Sequence, residues 1–175
     1  MAFKKILVAT DGSANAQRAL NVGIDLARQY GAELIVMHAI MGGPMPEGLL
    51  QWARAEHLVE TPPEPSPAED IPAYGRLGTI THDRLMRVPY QARLAVARAI
   101  VEDAGDHAKK AGVAKVTPVI EDGDATEVID HVVKSEAADL VVLGTRGLGT
   151  LKGLMVGSVS HKVVGLGHCP CVVVP

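Results

Sequence analysis

Short apolar runs alternate with helical periodicity along most of the chain. Residues 3–9 (FKKILVA) form an apolar run that stops at Thr10, Asp11 and Gly12, which reads as a buried strand and a turn. Ser13 is placed to cap a helix in which Ala16, Ala19, Leu20, Gly23 and Ala27 recur at helical spacing, with Gly31 as its stop. Residues 33–40 (ELIVMHAI) predict a second strand, so one strand–helix–strand unit closes within the first forty residues and parallel pairing is expected.

That pattern breaks between Met41 and Pro89, which holds eight of the eleven prolines and shows no sustained period, although 47–59 reads as a loose helix. The stretch is expected to be a long insertion of about 41–89 in a single domain spanning 1–175. Periodicity returns over 90–111, with Leu94, Ala97, Val101, Ala104, Ala108 and Ala111 on one side and Gly112 as the stop. Residues 114–120 (AKVTPVI) predict a third strand, and Pro118 inside it predicts a sheet edge. A helix over 125–137 with Val128, Ile129, Val132 and Val133 inward, a strand over 139–143, a short helix over 158–164 and a last strand over 171–174 complete the chain. Five apolar strands alternating with four helices predict an α/β three-layer sandwich on a parallel sheet. With strand order 3-2-1-4-5, the turn after Ala9 and the loop after Leu143 face each other at the point where the order reverses, the usual ligand position in such sheets.

Composition narrows the chemistry. Only 3% of the 175 residues are aromatic against 47% hydrophobic overall, so small aliphatic residues must fill the core. The net charge of −3 and pI near 6.1, without a dense Lys/Arg run, argue against nucleic acid as a partner. No apolar run reaches the ~18 residues of a membrane span. The first apolar run is too short for a signal peptide, and Cys169 and Cys171 are poorly spaced for a disulfide, so a cytoplasmic location is expected. Zinc at His168, Cys169 and Cys171 would need a fourth ligand.

The richest stretch is 144–164. Gly144, Gly147, Gly149, Gly153 and Gly157 are expected to leave backbone N–H groups open to a ligand, and Ser158, a candidate N-cap, and Ser160 add hydroxyls where a helix start favours an anion. Thr150 stands where a P-loop needs lysine, and Lys152 stands where a dinucleotide fingerprint starting at Gly147 needs glycine, so neither template fits. Arg146 and Lys152 are candidate cations inside the loop, and His38 is expected to be a core or site-wall histidine bonded to backbone.

The spacing Gly144-x2-Gly147-x9-Gly157-Ser158 resembles the nucleotide-binding signature of the universal stress protein family. The likeness extends to 6–13 (ILVATDGS), Met37-His38-Ala39, Ala138-Asp139-Leu140 and the ending CPCVVVP. The resemblance implies the adenine nucleotide α-hydrolase-like fold and an ATP site, with Mg2+. Asp11, beside Thr10, would contact the nucleoside, and backbone near Ala9 and Ala39 would line the adenine. Gly144 and Gly147, flanked by Leu143 and Arg146, would approach the ribose and phosphates; Gly157, Ser158 and Val159 would hold phosphate, with Ser160 nearby. It also implies a homodimer through Cys171–Val174, acting in stress response or signalling. Slow ATP hydrolysis is the alternative from the enzyme class, though no carboxylate pair or P-loop lysine supports it. A nucleotide-free dimer acting through partners is the third reading.

Overall fold

The computed structural model describes residues 2–43, 45–59, 88–148 and 157–175. Its strands are β1 (Lys5–Ala9), β2 (Glu33–Ile40), β3 (Val116–Asp122), β4 (Leu140–Gly144) and β5 (Cys171–Val174). The helices are α1 (Ala14–Tyr30), α2 (Glu47–Ala55), α3 (Tyr90–Lys110), α4 (Ala125–Ser135) and α5 (Ser158–Leu166). The sheet is parallel, in the order β3-β2-β1-β4-β5. This is the expected α/β sandwich, with the adenine nucleotide α-hydrolase-like fold that the resemblance implies.

Side-chain alternation in the central strands divides the core between two faces. Ile6 and Val8 of β1, with Leu34 and Val36 of β2, pack under α1 and α3. Leu7, Ile35, Met37 and Leu143 point the other way, against α4 and α5. Central strands apolar on both faces fit a sheet covered by helices on each side. At its start α1 is held by Ser13, whose Oγ accepts from the Ala16 N–H at 3.2 Å, and it stops at Gly31 in the left-handed region at φ 64°. Inside α1, Gly23 lets the helix lie close on β1, since a Cβ there would stand 2.4 Å from Val8 Cγ2.

β3 is an edge strand, as Pro118 predicted, and Pro118 sits opposite Val36. It begins two residues later than the apolar run and continues through Glu121 and Asp122, paired with Ala39 and Ile40. Polar residues are tolerated there because one edge of the strand meets solvent. In α3 the inward residues include Val96 and Ile100, which the expected stripe omitted, while Leu94 and Ala111 are only partly buried. These two additional residues have a purpose: they pack on Ala53 of α2, with Met45, Leu49 and Leu58 around them. The first part of the proline-rich stretch therefore forms a second layer over α3. The remainder of it, 60–87 with the run of prolines from Pro62 to Pro72 and with His82, lies outside the described residues. So do Gly149, Lys152 and Gly153. Among the described residues no helix is long and apolar enough to cross a membrane.

Candidate functional site

Strands β1 and β2 connect to helices on one face, while β3 and β4 connect to helices on the other. The chain diverges between the neighbouring carboxyl ends of β1 and β4, and a cavity of about 390 Å³ opens there. All twelve residues singled out from the sequence line it. Ala9, Thr10 and Asp11 lie at the end of β1 and Ala39 near the end of β2. Leu143, Gly144, Arg146 and Gly147 follow β4, and Gly157, Ser158, Val159 and Ser160 begin α5.

Asp11 ties two of these segments together. Its Oδ1 accepts from the Ser13 N–H at 3.0 Å, and its Oδ2 accepts from the Leu148 N–H at 2.7 Å. The first bond shapes the turn into α1; the second holds the loop after β4 against that turn. Thr10 contributes similarly, its Oγ1 accepting from the Gly12 N–H at 3.2 Å.

The glycines at three of these positions have a packing reason of their own. A Cβ on Gly144 would come within 2.9 Å of the Asn15 carbonyl carbon and 3.1 Å of the Ala16 nitrogen, so this glycine lets α1 approach β4. A Cβ on Gly147 would stand 2.3 Å from Asp11 Oδ2, and one on Gly157 would stand 2.9 Å from the Thr145 oxygen. In each case the absent side chain makes room for protein atoms.

The serines shift in role. Gly157 occupies the N-cap of α5, with φ −71° and ψ 160° and no side-chain cap, so Ser158 is the first helical residue and not the cap. Ser160 is 2% exposed, and its hydroxyl is within bonding distance of the Thr145 and Gly157 carbonyl oxygens, at 3.1 and 3.0 Å. It holds the loop to the helix rather than offering its proton to the cavity. The Gly157 N–H donates to the Thr145 oxygen, and helical bonding starts with the His161 N–H to the Gly157 oxygen at 3.0 Å. The helix itself therefore provides no i−4 partner for the N–H groups of Ser158, Val159 and Ser160, which stand at its positive end.

The family model for universal stress proteins matches residues 2–175. The chain belongs to the universal stress protein family. A universal stress protein of Thermus aquaticus, encoded in the 3′ region of a QAH/OAS sulfhydrylase, is 31% identical over 98% of this chain and 98% of its own length. Among solved structures, universal stress protein UspA from Lactobacillus plantarum matches with a TM-score of 0.69 and 19% identity, covering 100% of this chain and 99% of that one. A universal stress protein crystallised in complex with cAMP matches with a TM-score of 0.63 and 25% identity, again over 100% and 99%.

One wall of this universal stress protein's cavity was not among the expected site residues. It comprises Ile40, Met41, Met45 and Leu49 on and around α2, with Arg93 and Val96 from α3. The available signal was Leu49, Leu50 and Ala53 at helical spacing, set within a proline-rich region. Arg93 organises this wall. Its Nε donates to the Val88 oxygen at 3.2 Å and its Nη1 to the Met41 oxygen at 2.8 Å, and its Nη2 also reaches the Gly43 oxygen. His38 completes the floor, as the site-wall histidine expected, 9% exposed with Nδ1 2.8 Å from the Thr10 oxygen. Burial pushes its imidazole below the ordinary range, opposed in part by the Thr10 bond and by Asp11.

Outside the cavity, His161 and Lys162 are exposed on α5. Cys169 and Cys171 are free thiols, and no cluster of three metal-ligating side chains occurs among the described residues.

Proposed function

We propose that this protein binds an adenine nucleotide, ATP with Mg2+, in the crevice between β1 and β4, and that occupancy sets the loops around the crevice in a stress-response role. The observation that carries this reading is the cavity of about 390 Å³ lined by Gly157, Ser158, Val159 and Ser160 at the positive end of α5. Apolar wall residues on both sides, Ala39 and Ile129 on one and Ile40 and Leu49 on the other, suit a flat base. The related structure holding cAMP, itself an adenine nucleotide, supports the same ligand class.

The fit with each part of the ligand differs. Phosphate oxygens would take the amides of Ser158, Val159 and Ser160, with the Arg146 side chain also at the cavity. Asp11 is the single carboxylate among the described lining residues, and both its oxygens already accept N–H bonds. Mg2+ would therefore be carried chiefly by phosphate and water. With that carboxylate committed to the loop, binding is favoured over hydrolysis.

The same reading has the chain acting in the cytoplasm as one domain with an inserted segment, paired with a second copy through β5. Support for pairing comes from β5 itself. Among the described residues β4 is its one strand neighbour, its four residues are partly exposed, and Val164 and Leu166 lie exposed on α5, the helix preceding it. Calorimetry with ATP and Mg2+ tests the nucleotide. Saturable heat between micromolar and low millimolar concentrations is expected, and a folded protein giving none would refute the reading. Sedimentation should give a dimer that a charged substitution at Val173 dissociates.

A further inference from the structure

His38 borders the cavity with a ring nitrogen whose chemistry is fixed and which no described residue bonds. His38 shares the face of β2 occupied by Leu34 and Val36, where an apolar side chain would pack without polar cost. Its Nδ1 lies 2.8 Å from the Thr10 oxygen. A carbonyl oxygen only accepts, so Nδ1 carries the proton and Nε2 of the neutral ring has a lone pair. Among the described residues nothing bonds Nε2. Among the described residues the side-chain polar atoms sealed from solvent without a partner are Arg54 Nε and Thr126 Oγ1, so Nε2 keeps some contact with solvent, and His38 borders the cavity.

Thr10 and Asp11, beside His38, already hold backbone. Thr10 Oγ1 accepts from Gly12, and Asp11 accepts from Ser13 and Leu148. We infer that His38 is a specificity-determining residue whose Nε2 accepts a hydrogen bond from an N–H or O–H donor of the bound nucleotide. The inference rests on the nucleotide reading above and adds a rule of selection to it. A ligand presenting a donor to His38 is favoured, and one presenting a carbonyl or ether oxygen there is rejected, because two acceptors would face each other. Three groups of ATP have this chemistry: the two ribose hydroxyls and the exocyclic amine of the base.

Affinities of four ligands separate them: ATP, its 2′-deoxy and 3′-deoxy forms, and the purine riboside triphosphate lacking the amine. Each is measured with the unmodified protein and with His38→Asn, whose shorter amide keeps a donor near Thr10 but withdraws Nε2. One analogue should bind the unmodified protein about three- to tenfold more weakly than ATP, the range for one hydrogen bond, and that ratio should fall to about one in the variant. The analogue showing this identifies the donor. Ratios unchanged by the variant for all three analogues would overturn the inference while leaving nucleotide binding intact. Failure of the unmodified protein to bind any of the four would overturn both.

A measurement on the unmodified protein serves if His38→Asn does not fold. Nitrogen-15 resonances of the seven histidines report ring protonation and bonding. The Nε2 resonance of His38 should move toward the hydrogen-bonded range on adding ATP, and should not with the analogue lacking the donor. A resonance unmoved by ATP at saturation refutes the inference.

Discussion

The glycine at the end of β4 offers a direct test of whether packing or ligand access explains the signature. In Gly144→Ala the new Cβ would lie 2.9 Å from the Asn15 carbonyl carbon, 3.0 Å from Asn15 Cβ and 3.1 Å from the Ala16 nitrogen. Comfortable contacts between carbons begin near ~3.5 Å. The opposing atoms are mostly backbone in the first turn of α1, so no side-chain rotation relieves the overlap. Nor can the turn shift freely. Ser13 caps it at Ala16, Asn15 Nδ2 donates to Thr145 Oγ1 at 3.3 Å, and Ala16, Ala19 and Leu20 are already packed in the core.

Overpacking of this kind costs about 1–3 kcal/mol. Stiffening of the unfolded chain returns roughly 0.4–1 kcal/mol of that. A net loss of about 1–2 kcal/mol lowers the melting midpoint by roughly 2–8 °C at this chain length. Gly165 provides the control. It lies within α5, and a methyl added there would meet nothing within 4 Å, so Gly165→Ala should gain about 0.5–1 kcal/mol. Thermal unfolding followed by circular dichroism, without nucleotide, reads both. A Gly144→Ala midpoint at or above that of the unmodified protein would refute the packing argument and return this glycine to the ligand.

Three further outcomes follow from the same contacts. Asp11→Ala removes the acceptor of the Leu148 and Ser13 amides, bonds of a kind worth about 1.5–3 kcal/mol when charged; faster hydrogen exchange at Leu148 and at least about tenfold weaker nucleotide binding are expected, and unchanged exchange would show the tie to be idle. Ser160→Ala should cost about 1 kcal/mol in urea unfolding, because its sealed hydroxyl bonds the protein; full stability with weakened ATP binding would instead make it a ligand contact. His38 gives a pH signature: unfolded chains take up the imidazole proton near 6.5, whereas the folded pKa is lower. The unfolded state thus binds more protons in that window, and stability present above about 6.5 is lost as pH falls through the folded pKa. Urea unfolding across that window should show a slope that His38→Asn reduces, and equal slopes would refute the burial argument.

Much of the fold was legible because its breakers stand where the strands end. β2 and β5 occupy the expected residues, each an apolar run closed by Gly or Pro signals. β3 was misjudged by two residues because pairing along an edge carries Glu121 and Asp122, which hydrophobicity alone does not assign to a strand. The site was legible as a set of positions but less so as a set of reasons. Sequence shows that Gly147 lacks a side chain, and only the folded chain shows Asp11 filling the space. For the same reason the α2 wall escaped notice. Leu49 and Ala53 become a helix face only when Val96 and Ile100, more than forty residues away, supply the surface they cover.

Arg93 has a bearing on how such a chain can change. One guanidinium gathers the carbonyls of Met41 and Gly43, near the start of the proline-rich stretch, and of Val88, near its end. The two feet of that stretch are thereby fastened beside the crevice independently of the sequence between them. Doubling the intervening length would add only about 0.6 kcal/mol of closure entropy. Insertions and deletions beyond α2 can accumulate while Met45 and Leu49 keep the crevice wall in shape, which leaves one part of the molecule open to evolutionary tinkering and holds the other constant.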